Sequence, residues 1–312
     1  MGRLTRCAAN RPSRLVALWV SVLAILLAPA VPAEVANESG GDGLVWRIEG
    51  PRGALYIAGS MHLLRRERPM LPAGIRAAYA EAESLVMELD TDEVDDTLMA
   101  RQMLRAATFD DRRTLREVIG DERWSMLQPV LANAQVPESF AMTLEPWGVA
   151  ILLTTLEYAR LGFDPAIGVE KQLLERAIAD RKPIAGLETP QFQIGLFDSL
   201  PMTVQLQLLE MTLEDIVEMP QTVDELYAAW RNGDVRELDT LLLEGYASMP
   251  KLYDDVVRRR NEDWLPKIKA LLDDQGDTLV IVGALHLVGK GGLIAMLERE
   301  GLQPQRFRPK KQ

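Results

Sequence analysis

A duplicated motif near the two ends of the chain constrains the fold more than any other feature. The stretch LYIAGSMHLL contains His62, and the stretch LVIVGALHLV contains His286. Each stretch is an apolar strand followed by Gly-x-x-His-Leu, and each is succeeded by a loop with Gly or Pro, a helix and another strand. Because a strand–helix–strand unit favours parallel pairing with a right-handed crossover, we expect two related units in one small sheet.

Further patterns define the rest of the predicted fold. Residues 44–48 and 54–58 flank a Gly-Pro-Arg-Gly turn, which predicts a hairpin. Short strands are also predicted at residues 85–89 and 183–187, and helical periodicity dominates about residues 97–274. The predicted fold class is therefore α/β, with a small mixed sheet from two related strand–Gly-x-x-His–helix–strand units and a large helical insertion.

The first 33 residues have the pattern of a secretory signal peptide. Four arginines and no acidic residue precede an apolar run over residues 15–27, and small residues allow cleavage before Glu34. The run is short for a bilayer span of roughly 20 residues, and an uncleaved anchor is the alternative. We therefore expect export to the periplasm, a flexible leader over residues 34–43 and a single domain over residues 44–312.

The charge and cysteine content of the mature chain narrow the possible functions. Removal of the four arginines changes the net charge from −11 to −15, which disfavours nucleic acids and anionic lipid surfaces as partners. Cys7 is the only cysteine and lies in the predicted signal peptide, so thiolate catalysis and disulfides are excluded for the mature protein. No later apolar run is long enough for a stable membrane span.

The two histidines are the first candidates for a functional site. His62 and His286 each lie just beyond the carboxyl end of an apolar strand, where open parallel sheets place their sites. Gly59 and Gly283 allow the backbone to turn sharply there. A single histidine of this kind is more often a hydrogen-bonded loop residue, but two in matching contexts predict one shared site.

Two acidic residues have comparable positions. Glu88 belongs to the apolar strand over residues 85–89, where an ionised carboxylate is costly unless it is paired or binds a metal. Asp90 shares its side of the pleat and could substitute for it. Glu188 ends the strand over residues 183–187. The alternatives are a solvated Glu88 at the strand end and a Glu188 that caps the turn before Pro190.

Arg260 is distinguished by its phase in a helix. Apolar residues recur at four-residue steps in the helix after Pro250, and Arg260 falls on that apolar stripe. A buried guanidinium needs a carboxylate or phosphate partner. The alternative is an arginine whose stem lies on the helix edge while its charge reaches solvent.

Two histidines and a carboxylate suit zinc, manganese, iron or cobalt, and three protein ligands leave room for water or substrate. A metal-bound water can attack an amide or an ester. The HExxH, GxSxG, GxGxxG and Walker motifs are absent from the sequence. Metal-assisted hydrolysis is therefore the simplest enzymatic interpretation.

These segments together resemble the TraB/GumN family, which is related to the Tiki proteins. The resemblance runs, in order, through LVWRIEGPRGALYIAGSMHLL, SLVMELD, GVEKQLLERAI, IAGLETPQFQ, the pair Arg260-Asn261 and VGALHLVGKGGLIAMLEREG. It implies a mixed α/β fold like that of the erythromycin-esterase and ChaN-like proteins, and a divalent-metal protease activity. Carried over by position, it implies site roles for His62, His286 and Glu88, with Arg260 near them.

The first hypothesis is a periplasmic metal-dependent hydrolase, a peptidase acting on peptides or proteins. His62 and His286 would hold manganese, cobalt or zinc, with Glu88 as a ligand or general base and Glu188 as the second acid candidate. Arg260 would orient Glu88 or a tetrahedral oxyanion. In that site we expect the two rings within roughly 4–7 Å of each other in a common cleft.

Two further hypotheses belong to other classes of protein. One is a periplasmic binding protein without turnover, which captures a peptide, haem or a metal ion. The other is an accessory factor in envelope or polysaccharide assembly, in which the histidines are structural.

Overall fold

The computed structural model of the chain describes residues 41–89 and 96–309. The predicted signal peptide, most of the predicted leader and Asp90 lie outside the described residues. Within the described ranges, no helix combines the length and the apolar character that a bilayer crossing requires.

The strands of the described residues form a six-stranded mixed sheet and a two-stranded one. In chain order they are β1 (Leu44–Glu49), β2 (Ala54–Ser60), β3 (Leu64–Arg65), β4 (Ser84–Leu89), β5 (Phe163–Asp164), β6 (Ile184–Glu188), β7 (Thr278–Gly283) and β8 (Gln305–Arg306). The large sheet has the order β6-β4-β7-β2-β1-β8, and β3 pairs with β5. The predicted α/β class with a small mixed sheet is confirmed, and β1 and β2 form the predicted antiparallel hairpin.

The centre of the large sheet is parallel and fully covered. Strands β6, β4, β7 and β2 run parallel, and every residue of β2 and β7 is buried. Runs of apolar residues on both faces are typical of parallel strands that are packed on both sides. Strand β1 is antiparallel to β2, and β8 pairs antiparallel to β1 at the far edge.

The two predicted strand–helix–strand units interlock in the sheet. Their strands are parallel as expected, but the two strands of one unit are not neighbours. Strand β7 of the second unit lies between β2 and β4 of the first. This arrangement pairs the two motifs directly, since Gly59 lies opposite Val282 and Ser60 lies opposite Gly283.

Helices fill the chain between and around the strands. They are α1 (Ala73–Glu81), α2 (Asp96–Ala106), α3 (Leu115–Asn133), α4 (Glu138–Ala141), α5 (Pro146–Arg160), α6 (Val169–Asp180), α7 (Pro190–Asp198), α8 (Met202–Asp215), α9 (Met219–Asn232), α10 (Val235–Glu244), α11 (Pro250–Tyr253), α12 (Arg259–Ala270) and α13 (Leu293–Arg299). Short 3-10 turns occupy Pro165–Ile167, Leu271–Asp273 and Ala284–His286, and a π-turn occupies Asp254–Arg258.

The helical middle packs around large apolar side chains. Helix α5 packs against α8, and Trp147 of α5 stacks on Phe197 of α7 with ring centroids 5.7 Å apart. Trp230 of α9 donates its indole N–H to the carbonyl of Gly59, at the end of β2. The helical insertion is thereby attached to the strand that carries the first motif.

Candidate functional site

The carboxyl ends of β2 and β7 bring the two motifs together. His62 follows β2 by two residues, and His286 ends the 3-10 turn that follows β7. Both side chains are buried, with 6% and 0% of their surfaces exposed. The pairing of Ser60 with Gly283 starts the two post-strand turns from neighbouring positions in the sheet.

His62 is held against the first turn of α6. The amide of Val169 donates to the carbonyl of Met61 at 3.1 Å. Gly168 makes this approach possible, because a Cβ at that position would lie 2.1 Å from the carbonyl oxygen of His62. The loop that carries the first histidine is therefore fixed on the amino end of a helix.

Glu170, in the same first turn, is the charged partner of His62. Its Oε1 lies 2.8 Å from Nδ1 of His62, although the ring N–H is not aligned on it as a hydrogen bond requires. The hydroxyl of Ser60 donates to the same oxygen. Nε2 of His62 is buried and has no hydrogen-bond partner in the described part of the chain.

Burial and charge shift the pKa values of His62 and Glu170 in opposite directions. Burial alone would lower the pKa of His62, but the carboxylate of Glu170, with a smaller contribution from Glu88, raises it above its ordinary value of 6.5. Burial alone would raise the pKa of Glu170, but His62 and the hydroxyl of Ser60 bring it below 4.5. The two shifts show that the pair favours a charged imidazolium beside a charged carboxylate.

Arg260 lies at the centre of a cluster next to the His62–Glu170 pair, and its five N–H groups have acceptors. Nε and Nη2 donate to the two carboxylate oxygens of Glu188 at 2.9 and 2.8 Å, and Nη2 donates to Oε2 of Glu88 at 2.7 Å. Nη1 donates to the carbonyl of Val256 and to Nε2 of His286, each at 3.1 Å. Arg260 thus connects β4, β6 and the turn after β7.

The position of Arg260 agrees with its phase in the sequence. The residue is only 1% exposed, so the alternative of a charge that reaches solvent from the helix edge is wrong. A π-turn over Asp254–Arg258 immediately precedes the helix that carries Arg260, and such turns often occur at functional sites. The guanidinium also lies over the ring of Trp264, 4.7 Å from its centroid.

Glu88 is buried, and its two oxygens have different partners. Oε1 accepts from the backbone N–H of Gly283 at 2.7 Å, and Oε2 accepts from Arg260 and from the amide of Gln193, the latter at 3.3 Å. Burial raises the pKa of Glu88, whereas Arg260 and His62 lower it, and the net shift is upward. The alternative of a solvated strand end is therefore wrong for Glu88.

Glu188 has the same kind of environment at the end of β6. Besides Arg260, it accepts from the indole N–H of Trp264 at 2.9 Å. The side chain that caps the following helix is that of Thr189, which accepts from the amide of Phe192. Glu188 is thus a member of the Arg260 cluster, and the capping alternative considered for it is wrong.

The tautomer of His286 follows from its neighbours. The side-chain amide nitrogen of Asn261 donates to the carbonyls of His286 and Gly291 at 3.1 and 2.9 Å. The side-chain oxygen of Asn261 therefore faces Nδ1 of His286, 2.6 Å away. Nδ1 therefore carries the proton, and Nε2 accepts from Arg260. Burial, Arg260 and His62 hold the pKa of His286 well below 6.5.

The structure thus joins His286, Glu88, Glu188 and Arg260 in one hydrogen-bonded cluster, and His62 is buried with Glu170 close enough to feel its charges. The charges of Arg260 and Glu88 act on His62, and His62 acts on His286, so the two rings share one electrostatic environment. The predicted ring separation of roughly 4–7 Å remains a prediction from the ligand geometry.

The three predicted metal ligands do not fit an ion in this arrangement. Nε2 of His62 is free to bind one, but Nε2 of His286 and Oε2 of Glu88 both face the guanidinium of Arg260. An ion between them would meet a fixed positive charge at about hydrogen-bond distance. Within residues 41–89 and 96–309, no three His, Asp or Glu side chains are grouped as metal ligands.

Sequence reasoning did not identify four residues of the site: Ser60, Glu170, Gln193 and Asn261. Each occurs in a quoted segment, but none stands out by periodicity or spacing. Glu170 looks like an ordinary acidic residue in the first turn of a helix, and only the packing of α6 on the His62 loop gives it a role. Asn261 had one available signal, its position directly after Arg260.

Comparisons with known proteins concern the family of the chain and its relatives. The sequence model of the TraB/PrgY/gumN family matches residues 44–306. The uncharacterized protein YbaP of Escherichia coli K12 is 28% identical over 242 residues, which cover 78% of this chain and 87% of YbaP. An uncharacterized protein of Treponema pallidum is 22% identical, with 96% and 92% of the two chains covered. No solved structure matches the chain.

Proposed function

The chain belongs to the TraB/PrgY/gumN family, and we propose that it is a periplasmic hydrolase of amide or ester bonds with peptides as its substrate class. The observation that carries the proposal is Nε2 of His62, a buried ring nitrogen without a hydrogen-bond partner in the described residues. Buried polar atoms nearly always have partners, so an exception calls for a ligand, a water or a reacting group.

The surroundings of His62 suit a general base. Glu170 lies beside Nδ1, and its negative charge stabilises the imidazolium that forms when the ring takes up a proton. In the proposed reaction, which requires the deprotonated ring and therefore a pH above the raised pKa of His62, Nε2 takes a proton from water as the water oxygen attacks the carbonyl carbon. The imidazolium then gives that proton to the leaving amine or alkoxide, so the histidine returns to its starting state.

The nucleophile in this scheme is water. The hydroxyl of Ser60 is the nearest candidate from the motif itself, but it donates its proton to Glu170 instead of lying on the free side of the ring. A serine in that position helps to orient the carboxylate and does not attack a substrate.

The Arg260 cluster supports the proposed site from the adjoining strands. All five N–H groups of Arg260 are engaged, so it serves to hold Glu88, Glu188 and His286 at fixed positions. This favours the first of the two roles that the sequence suggested for Arg260, the orientation of Glu88, over contact with an oxyanion. The proposed reaction uses no metal ion, because Arg260 faces two of the predicted ligands.

The full hydrogen bonding of Arg260 also favours a second candidate, a binding or accessory protein without turnover. A network in which every donor is satisfied is also what a purely structural ion cluster looks like. In that case His286, Glu88, Glu188 and Arg260 stabilise the sheet end, and a peptide or another ligand contacts His62 alone.

A hydrolysis assay separates the two candidates. The purified mature protein is incubated with a mixture of internally quenched peptides and with p-nitrophenyl esters, beside His62→Asn and the exposed control Arg160→Gln. Loss of a general base should reduce the rate by about 10²–10⁴. The hydrolase proposal fails if no substrate is cleaved, or if His62→Asn, folded as judged by its melting temperature, retains the wild-type rate.

A further inference from the structure

Strand β6 forms an edge of the large sheet beside the site. Among the strands of residues 41–89 and 96–309 it pairs with β4 alone, and Ala185 and Gly186 in its middle are exposed. An exposed edge offers backbone N–H and C=O groups that can pair with another extended chain. Small residues at these two positions leave that backbone accessible.

The ladder with β4 shows which backbone groups face outward. The amide of Leu85 donates to the carbonyl of Pro183 at 2.9 Å, and Leu85 is paired with Ile184. In a parallel ladder the bonds alternate along the strand, so Ala185 directs its N–H and C=O toward β4. Ile184 and Gly186 direct theirs away from β4, and Gly186 is the exposed one.

This edge is continuous with the candidate site. Glu188 ends β6 and binds Arg260 with its side chain, and the helix that follows begins at Pro190. Phe192, in the first turn of that helix, is a large apolar side chain that is 44% exposed. The exposed edge of β6 is therefore followed, within the next turn of chain, by an exposed aromatic side chain.

We propose that the outer edge of β6 binds an extended peptide segment of the substrate as an added strand, through the backbone groups of Ile184 and Gly186. This assignment rests on the proposed hydrolase function and specifies its substrate class as unfolded or extended polypeptide. Strand addition obtains affinity from main-chain hydrogen bonds, so we expect the binding to depend little on the side chains of the peptide. Phe192 would supply the apolar contact.

The distances in the sheet are consistent with such a path. A chain outside β6 is three strand positions from β7 and four from β2, which at about 4.8 Å for each position is about 14–19 Å. An extended chain covers about 3.3 Å for each residue. A peptide that leaves the edge of β6 therefore needs about four to six further residues to reach the histidines.

The test uses a matched pair of fluorescein-labelled peptides of about twelve alternating threonine and valine residues with two lysines. One has free backbone N–H groups, and the other is N-methylated at alternate positions with the same side chains. Binding is measured by fluorescence anisotropy on the full mature protein carrying His62→Asn, so that binding is read without turnover. We expect the unmethylated peptide to bind at least tenfold more tightly.

Two proline variants supply the protein side of the test. Gly186→Pro removes an outward N–H and should reduce binding of the unmethylated peptide at least tenfold with little change in melting temperature. Ala185→Pro removes a ladder N–H to β4 and should lower the melting temperature instead. If Gly186→Pro does not fold, the methylated peptide still decides the question.

Several results would overturn the inference. Equal binding of the two peptides, no binding of either, or unchanged binding to folded Gly186→Pro would each exclude strand addition at β6. A dimer in solution that Gly186→Pro dissociates would show that a second copy occupies the edge. Binding that follows the expected pattern without any hydrolysis by the wild type would contradict only the proposed enzymatic function.

Discussion

Nη2 of Arg260 lies 2.7 Å from Oε2 of Glu88, and both side chains are buried, 1% and 7% exposed. Arg260 also forms a two-bond contact with Glu188, so its removal leaves two buried carboxylates without a cation. We expect Arg260→Met to lower the free energy of unfolding by about 3–5 kcal/mol, the usual cost of breaking a buried pair. Urea denaturation of the purified protein measures this change.

The partner variant Glu88→Gln should lower the free energy of unfolding by less, about 1–3 kcal/mol. Glutamine can still accept from the amide of Gly283, and Arg260 retains Glu188. Arg258→Met provides the control on the adjacent turn, because its ion pairs are exposed to solvent and screened, and their loss should change the free energy of unfolding much less than Arg260→Met does. A larger loss in Glu88→Gln than in Arg260→Met would contradict this account of the cluster.

The pKa values of the two histidines should be shifted in opposite directions. Burial, Arg260 and His62 lower the pKa of His286 well below 6.5, whereas Glu170 outweighs burial and raises that of His62. Since the chain has only two histidines, nitrogen-15 NMR of histidine-labelled protein resolves both rings. We expect His286 to remain neutral, protonated at Nδ1, at pH values where His62 is charged. A His286 that titrates near 6.5 would refute the assigned hydrogen bonds.

The His62–Glu170 pair should make stability depend on pH in a defined window. A raised folded pKa for His62 means that its contribution is complete below 6.5 and is lost as pH rises through the folded value. The lowered pKa of Glu170 means that the contribution is also lost as pH falls below about 4.5. Glu170→Gln should therefore destabilise more at pH 6 than at pH 9. It should also lower the pKa of His62 with little effect on His286, and equal losses at the two pH values would contradict the pairing.

The positions of the main strands and the burial of Glu88 and Arg260 could be predicted because their signals are local in the sequence. The repeated strand–Gly-x-x-His pattern indicates both histidine turns, the apolar strand around Glu88 indicates a buried carboxylate, and the stripe through Arg260 indicates a buried guanidinium. Each of these signals compares a residue with its immediate neighbours. The structure adds that Glu88 and Arg260, 172 positions apart, are partners of each other.

The remaining features depend on packing between distant segments. Glu170 lies 108 positions from His62 in the sequence, and only the docking of α6 on the first histidine loop brings its carboxylate to the ring. The interlocking of β7 between β2 and β4 is equally non-local, because a strand–helix–strand unit alone predicts adjacent strands. Periodicity indicates what is buried, but it does not indicate which buried groups meet.

Export is a prediction that amino-terminal analysis can test. The basic start and the apolar run over residues 15–27 predict cleavage before Glu34. We expect the protein from a periplasmic extract to begin at or near that residue. Recovery of Met1 or Gly2 from a membrane fraction would instead support the uncleaved anchor.

The final prediction concerns a divalent ion, which the residue types suggested and the position of Arg260 opposes. A zinc-like ion would need nitrogen ligands at about 2.0–2.1 Å, and Nε2 of His286 has the guanidinium 3.1 Å away. Ion and guanidinium therefore compete for one place. We expect a chelator to leave the melting temperature of the wild type unchanged, and zinc to raise that of Arg260→Met, in which His286, Glu88 and Glu188 lose their cation.

Arg258→Met again serves as the control, since its loss frees no buried ligand and zinc should not stabilise it. The opposite outcome is equally definite. If a chelator lowers the melting temperature of the wild type and manganese, cobalt or zinc restores it, then Arg260 moves aside when the ion binds. The expectation of a bound ion would then be correct, and the proton-transfer scheme without an ion would be wrong.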